Sequence, residues 1–197
     1  MTSIEKSYNL KSSFIFLTGG EYKISEEIIS LLKTNSFEIG LHGLTHDIAL
    51  AYRQEKKMES IIDAALSRIK FQGIGFRSPA LSVSNKLFKV LSKFNMLYDS
   101  SIALYYKDRA SCFPYLLPGI NLWEVPLCLQ DDVFFRDMNL TEERALEIVK
   151  EFIEDIKEIG GVCILNFHPI LIKSRLRFYE NFLSLLKKDK EDRKSVV

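Results

Sequence analysis

Four side chains have the types and neighbours from which a reaction centre can be built: His42 and His46 in HGLTH, Arg77 in GFRSP, and His168 in ILNFHP. Neutral imidazoles suit a divalent ion such as zinc, and a separation of four residues on a helical turn would bring both rings to one side. Taken alone, an H-x-x-x-H pair fits two ordinary packed or surface histidines just as well. Its weight comes from economy, because the chain has only three histidines and each falls at the end of a run that reads as a strand. Arg77 is either a surface arginine ahead of the turn-setting Pro79 or a guanidinium that orients a carboxylate at the reacting centre. His168 is either packed before a proline-bent loop or a general acid toward a leaving amine, since its ordinary pKa lies near neutrality.

The elements that must carry these residues alternate. Lys11 to Thr18 reads as a strand closed by Gly19-Gly20, and Ser25 caps a helix whose apolar positions are Ile28, Leu31 and Leu32. Phe37 to Leu41 runs as a strand into His42, and Asp47 to Lys70 is helical, with Met58, Ile61, Ile62, Ala65, Leu66 and Ile69 on one face. Gly73 to Phe76 is a strand leading into Arg77. Ser84 caps the next helix, and Met96 to Tyr98 begins a further strand. An irregular loop from Tyr105 to Gly119 leads to the strand Leu122 to Pro126. Thr141 caps a long helix to Ile159, Gly160-Gly161 ends it, Val162 to Phe167 is a strand into His168, and Ser174 opens a last helix through Leu186. Such alternation predicts an α/β fold with a parallel sheet or barrel, in which the C-terminal strand ends share one face and build the active site.

Composition narrows the partners. Twenty-seven Lys plus Arg against 26 Asp plus Glu leave a net charge of +1, so no global field gathers nucleic acid or a membrane surface. At 197 residues, with 47% hydrophobic residues, the chain predicts one globular domain over 1–186 followed by a charged tail over 187–197. Cys112, Cys128 and Cys163 lack the close spacing of a structural zinc site and read as buried thiols. The apolar stretch Phe14 to Leu17 is too short for a signal sequence and no run is long enough to span a membrane, so a cytoplasmic protein is expected.

The ordered set EIGLHGLTHD, GFRSP with LSKFNMLYDSS, WEVP and ILNFHP resembles successive motifs of the polysaccharide deacetylase (NodB homology) family of carbohydrate esterases, from about Lys11 to Pro169. The resemblance implies a distorted (β/α) barrel and a metal-dependent hydrolase that removes N-acetyl or O-acetyl groups from sugars or polysaccharides. It implies that His42 and His46 bind the divalent metal, zinc by preference, that Arg77 positions the catalytic base and that His168 is the catalytic acid. It implies also that Pro79, Trp123, Glu124 and Pro126 line the site for acetylated carbohydrate.

The family's opening motif, of Thr-Phe-Asp-Asp type, supplies the general base and the third metal ligand, and it does not occur in this sequence. Lys11 to Leu17 corresponds to the family's second strand, so the expectation is an incomplete barrel with its first strand missing and an open edge able to self-associate. A histidine pair without its carboxylate makes a weak site, because catalytic zinc normally holds three protein ligands. Asp47, Asp99, Asp131 and Asp132 are the conceivable substitutes. The alternative is a non-catalytic or truncated deacetylase-like protein that binds metal or glycan weakly.

Overall fold

A computed structural model describes residues 1–20, 24–69, 74–104 and 112–192. Contacts cluster in two compact units, one comprising Ser13–Ala103 with Pro114–Pro126, the other Met1–Ser12, Leu104–Phe113 and Leu127–Val197.

The first unit is a sheet flanked by helices. Its strands are β1 (Ser13–Leu17), β2 (Glu38–Gly43), β3 (Gly75–Phe76), β4 (Tyr98–Asp99), β5 (Tyr115–Leu116) and β6 (Trp123–Glu124), in spatial order β1-β2-β3-β4-β6-β5. The pairs β1·β2, β2·β3, β3·β4 and β4·β6 are parallel, and β5 pairs antiparallel to β6. Parallel neighbours need crossovers. The helices α2 (Glu26–Thr34), α3 (Glu55–Ile69) and α4 (Asn85–Lys93) each lie in the chain between successive parallel strands. Their starts obey local chemistry: Ser25 Oγ accepts from Ile28 N and Ser84 Oγ from Leu87 N, each satisfying a donor that the first turn leaves open. Met58, Ile62, Ala65 and Ile69 of α3 recur at helical spacing and are buried, in one core with Leu41, Phe76, Leu87 and Leu91. Gly75 answers to close packing, because a Cβ there would overlap the ring of Tyr98.

The second unit holds α1 (Thr2–Ser7), β7 (Leu129–Gln130), a π-helical turn (Val133–Asp137), α5 (Glu142–Ile159), β8 (Leu165–Asn166), α6 (Pro169–Ile172) and α7 (Leu176–Asp192). β7 and β8 pair in parallel across the α5 crossover. Thr141 Oγ1 caps α5 by accepting from Arg144 N, and Gly160, at φ 78, follows its last residue. Ala145, Val149, Phe152, Ile153 and Ile156 turn the apolar face of α5 into a core shared with Phe178, Tyr179 and Phe182 of α7. The buried Glu5 accepts from the Tyr179 hydroxyl, joining α1 to α7 within this unit.

The α/β class and the parallel sheet stand as expected, and among the described residues no strand closes the sheet into a barrel. Strand lengths differ from expectation: Met96–Tyr98 becomes Tyr98–Asp99, Leu122–Pro126 becomes Trp123–Glu124, and Val162–Phe167 shrinks to Leu165–Asn166. The last helix continues past Leu186 to Asp192. Lys70 at the end of the expected α3, Gly73 at the start of the expected β3, residues 105–111 of the expected loop and 193–197 of the tail lie outside the described residues. No helix among the described residues is long and apolar enough to cross a membrane.

Candidate functional site

In the first unit the site grows from the C-terminal ends of parallel strands. His42 lies in β2, Arg77 follows β3, Asp99 ends β4 and Glu124 ends β6, with Leu41 paired to Phe76, Phe76 to Asp99 and Asp99 to Glu124. The ladder runs on past the strands, since Arg77 N donates to Leu41 O at 3.0 Å and Ser100 N to Phe76 O at 2.9 Å.

His46 reaches His42 by a turn rather than by a helix. Gly43, at φ 108, opens the bend after β2, and the two rings end 5.2 Å apart between centroids, edge to face at 62°. The helical turn expected between them is absent, and α3 begins only at Glu55. His42 Nδ1 lies 2.7 Å from Arg77 O. A carbonyl only accepts, so Nδ1 carries the hydrogen and Nε2 carries the lone pair, the tautomer that a metal-binding histidine needs. Asp47 is occupied elsewhere: it accepts from Ala49 N at 3.0 Å and from Arg53 Nε at 2.9 Å, and the Arg53 hydrogen bond holds its carboxyl below the usual carboxylate range.

Behind the histidines sits a buried polar cluster. Arg77 donates from Nε to Ser100 O and from its terminal nitrogen to Ser100 Oγ, both at 2.9 Å. Asp99 and Glu124, both fully buried, are register partners on adjacent strands. Two carboxylates so placed cannot both be charged in a dry interior. Burial, and then the neighbouring Asp99, push Glu124 up to about 10. Glu124 Oε2 has no hydrogen-bond partner among the described residues, while Asp99 accepts from Ser101 N and Oγ. Of the residues expected to line a carbohydrate site, Trp123 is half exposed, whereas Pro79, Glu124 and Pro126 are buried.

In the second unit, β7 delivers Asp131 and β8 leads into His168. The buried Asp131 accepts from His168 N at 2.7 Å through Oδ2 and from the His168 ring Nδ1 at 2.6 Å through Oδ1. Asp132 lies at 3.9 Å from the same ring nitrogen. The Asp131 hydrogen bond raises the pKa of His168, with partial burial opposing it. The imidazole is therefore an acid held by a fixed carboxylate, with its ring partly exposed. A raised folded-state pKa contributes stability that is complete below the unfolded value of about 6.5 and fades as pH rises through the folded value. Unfolding free energy of the wild type is expected to decline across that interval, and Asp131→Asn to flatten the decline. Parallel denaturant titrations across the neutral range check this, and an identical slope in the variant contradicts it.

Asp131, Asp132 and His168 are also the only three candidate metal ligands among the described residues whose ligand atoms all lie within 4.8 Å of one another. Their oxygens are already occupied, those of Asp131 by His168 and Asp132 N, those of Asp132 by Val133 N and Arg136. Sequence reasoning named Asp131 only as a substitute for the missing base and metal-binding carboxylates and missed it as the partner of His168. The signal was its place two residues beyond the short apolar run LCL, which ends at Leu129.

The sequence model of the WbmS-like polysaccharide deacetylase family matches residues 6–184. The chain belongs to that family. Polysaccharide deacetylases are generally metal-dependent and act on acetylated carbohydrates. A crystal structure assigned as a polysaccharide deacetylase from Mycobacterium smegmatis superposes with a TM-score of 0.75 at 24% identity, covering 94% of this chain and 68% of that one. Another, from Bordetella bronchiseptica, assigned as a polysaccharide deacetylase involved in O-antigen biosynthesis, gives a TM-score of 0.66 at 17% identity, covering 87% of this chain and 64% of that one. Both likenesses concern the fold, and this chain spans about two thirds of either structure's length. No curated protein matches it.

The His42–His46 pair fits a divalent ion as two of its ligands, with one tautomer already set. Among the described residues no third ligand groups with them.

Proposed function

We propose that this chain is a hydrolase that removes acetyl groups from amino or hydroxyl positions of sugars or polysaccharides, with a divalent cation, zinc by chemical preference, held by His42 and His46. The observation that carries this reading is the edge-to-face contact of the two imidazoles, with His42 Nδ1 donating to a main-chain carbonyl. When bound, such a cation acidifies water and polarises a carbonyl oxygen.

The remaining roles fall to the protein's own groups. His168, held by Asp131, gives a proton to the departing nitrogen or oxygen. The main-chain carbonyl of Arg77 orients His42. The exposed indole of Trp123 offers an apolar face to a sugar ring. Among the described residues no carboxylate groups with the two histidines as a third ligand, and weak cation binding with slow turnover is the expected behaviour. Acetate release from acetylated chito-oligosaccharides tests the reading: slow release that chelator abolishes and zinc restores is the expected result. Release that survives chelation contradicts it, and zinc binding without any release identifies a non-catalytic binder.

A further inference from the structure

The peptide unit that joins Arg77 to Ser78 is gripped from both sides. Its carbonyl accepts from His42 Nδ1 at 2.7 Å, and its N–H donates to Ser101 Oγ at 2.8 Å. A trans peptide is planar and points these groups in opposite directions, so a hold on one fixes the other. The Ser101 hydroxyl has a set direction too, because it gives its hydrogen to Asp99 Oδ1 at 2.8 Å and so turns a lone pair toward Ser78 N–H. Ser101 N donates to the other Asp99 oxygen at 2.9 Å. Ser78, Asp99 and Ser101 are all at most 1% exposed, so water does not compete for these bonds. Ser78 is further restrained by Pro79, which disfavours helical backbone in the residue before it, and its ψ of 141° is extended as that requires.

We propose that Asp99 and Ser101 are positioning residues for His42, acting through the rigid Arg77–Ser78 peptide to fix the plane and tautomer of its imidazole. The inference rests on the reading of His42 as a metal ligand for its functional meaning. Metal-binding histidines commonly donate their second N–H to a carboxylate or a main-chain carbonyl, which makes the ligand nitrogen more basic. Here the two devices stand in series: the carboxylate of Asp99 acts on the imidazole across one hydroxyl and one peptide. Every bond in that chain points the same way, from His42 N–H to Arg77 O, from Ser78 N–H to Ser101 Oγ, and from Ser101 O–H to Asp99, so each polarises the next. Asp99 ends the chain as its acceptor, with one oxygen taking the Ser101 hydroxyl and the other the Ser101 N–H.

Ser101→Ala removes the one hydroxyl in the chain, and Asp99→Asn keeps the volume while removing the acceptor-only carboxylate. Long-range proton–nitrogen spectra of the full metal-free chain, recorded where the imidazoles are neutral, read the tautomer of His42 directly. The wild type is expected to show Nδ1–H alone, and both variants a mixture. Ser92→Ala, a hydroxyl that donates to Asn121 O, serves as the unaffected control. Zinc affinity of the two variants is expected to fall by about 10–100-fold, the range for loss of an outer partner. A wild-type tautomer signature retained in a folded variant overturns the positioning role whatever zinc does. A changed signature in proteins that never bind zinc sinks the metal reading and leaves the positioning role standing.

Discussion

Substituting His168 by alanine should lower acetate release by about 10²–10⁴-fold, the range for a positioned acid–base group, and leave zinc affinity where it was. The asymmetry follows from where the imidazole stands. Its Nδ1 is tied to Asp131 at 2.6 Å and its backbone N–H to the other oxygen of the same carboxylate, an arrangement that tunes and aims a proton. Asp131→Asn should give a smaller loss with a shifted pH profile, because the amide can orient the ring but cannot support its charge. Calorimetric zinc titration beside the rate assay separates the outcomes. If His168→Ala costs zinc affinity as heavily as activity, the ring belongs to the metal site and the assigned role is wrong.

His46→Ala should have the opposite signature, abolishing zinc binding and acetate release together. Disturbing an outer partner of a metal ligand costs about 10–100-fold in affinity, and removal of a direct ligand must exceed that. His46 is exposed and none of the hydrogen bonds described above involves its ring, so its removal should leave thermal stability nearly unchanged. Unaltered zinc affinity in this variant would place the ion elsewhere.

Much of this was legible in the residue order because it is local. An apolar run ending in a polar residue marks a strand end, and that rule found His42, Arg77 and His168. Ser25, Ser84 and Thr141 were legible as caps because each is a hydroxyl ahead of a helical stripe, and all three accept the bond expected of them. What escaped was non-local. In a linear reading Asp99 is one conceivable substitute carboxylate and Glu124 a residue lining the carbohydrate site, and only the parallel register of β4 against β6 places them side by side in the core. The Asp131–His168 pair likewise depends on β7 meeting β8 across an intervening helix. β5 is a two-residue strand inside what reads as an irregular loop, too short for any alternation to show. The turn that joins His42 to His46 was mistaken for helix because a spacing of four residues is compatible with both.

The claim on which the rest depends is that the metal ion sits on His42 and His46. Anomalous diffraction at the zinc edge from crystals of the zinc-loaded chain tests it most directly. The expected result is one peak within about 2.0–2.1 Å of a ring nitrogen of each histidine, the normal zinc–imidazole distance. A peak at Asp131, Asp132 and His168, with none at His42, would contradict it.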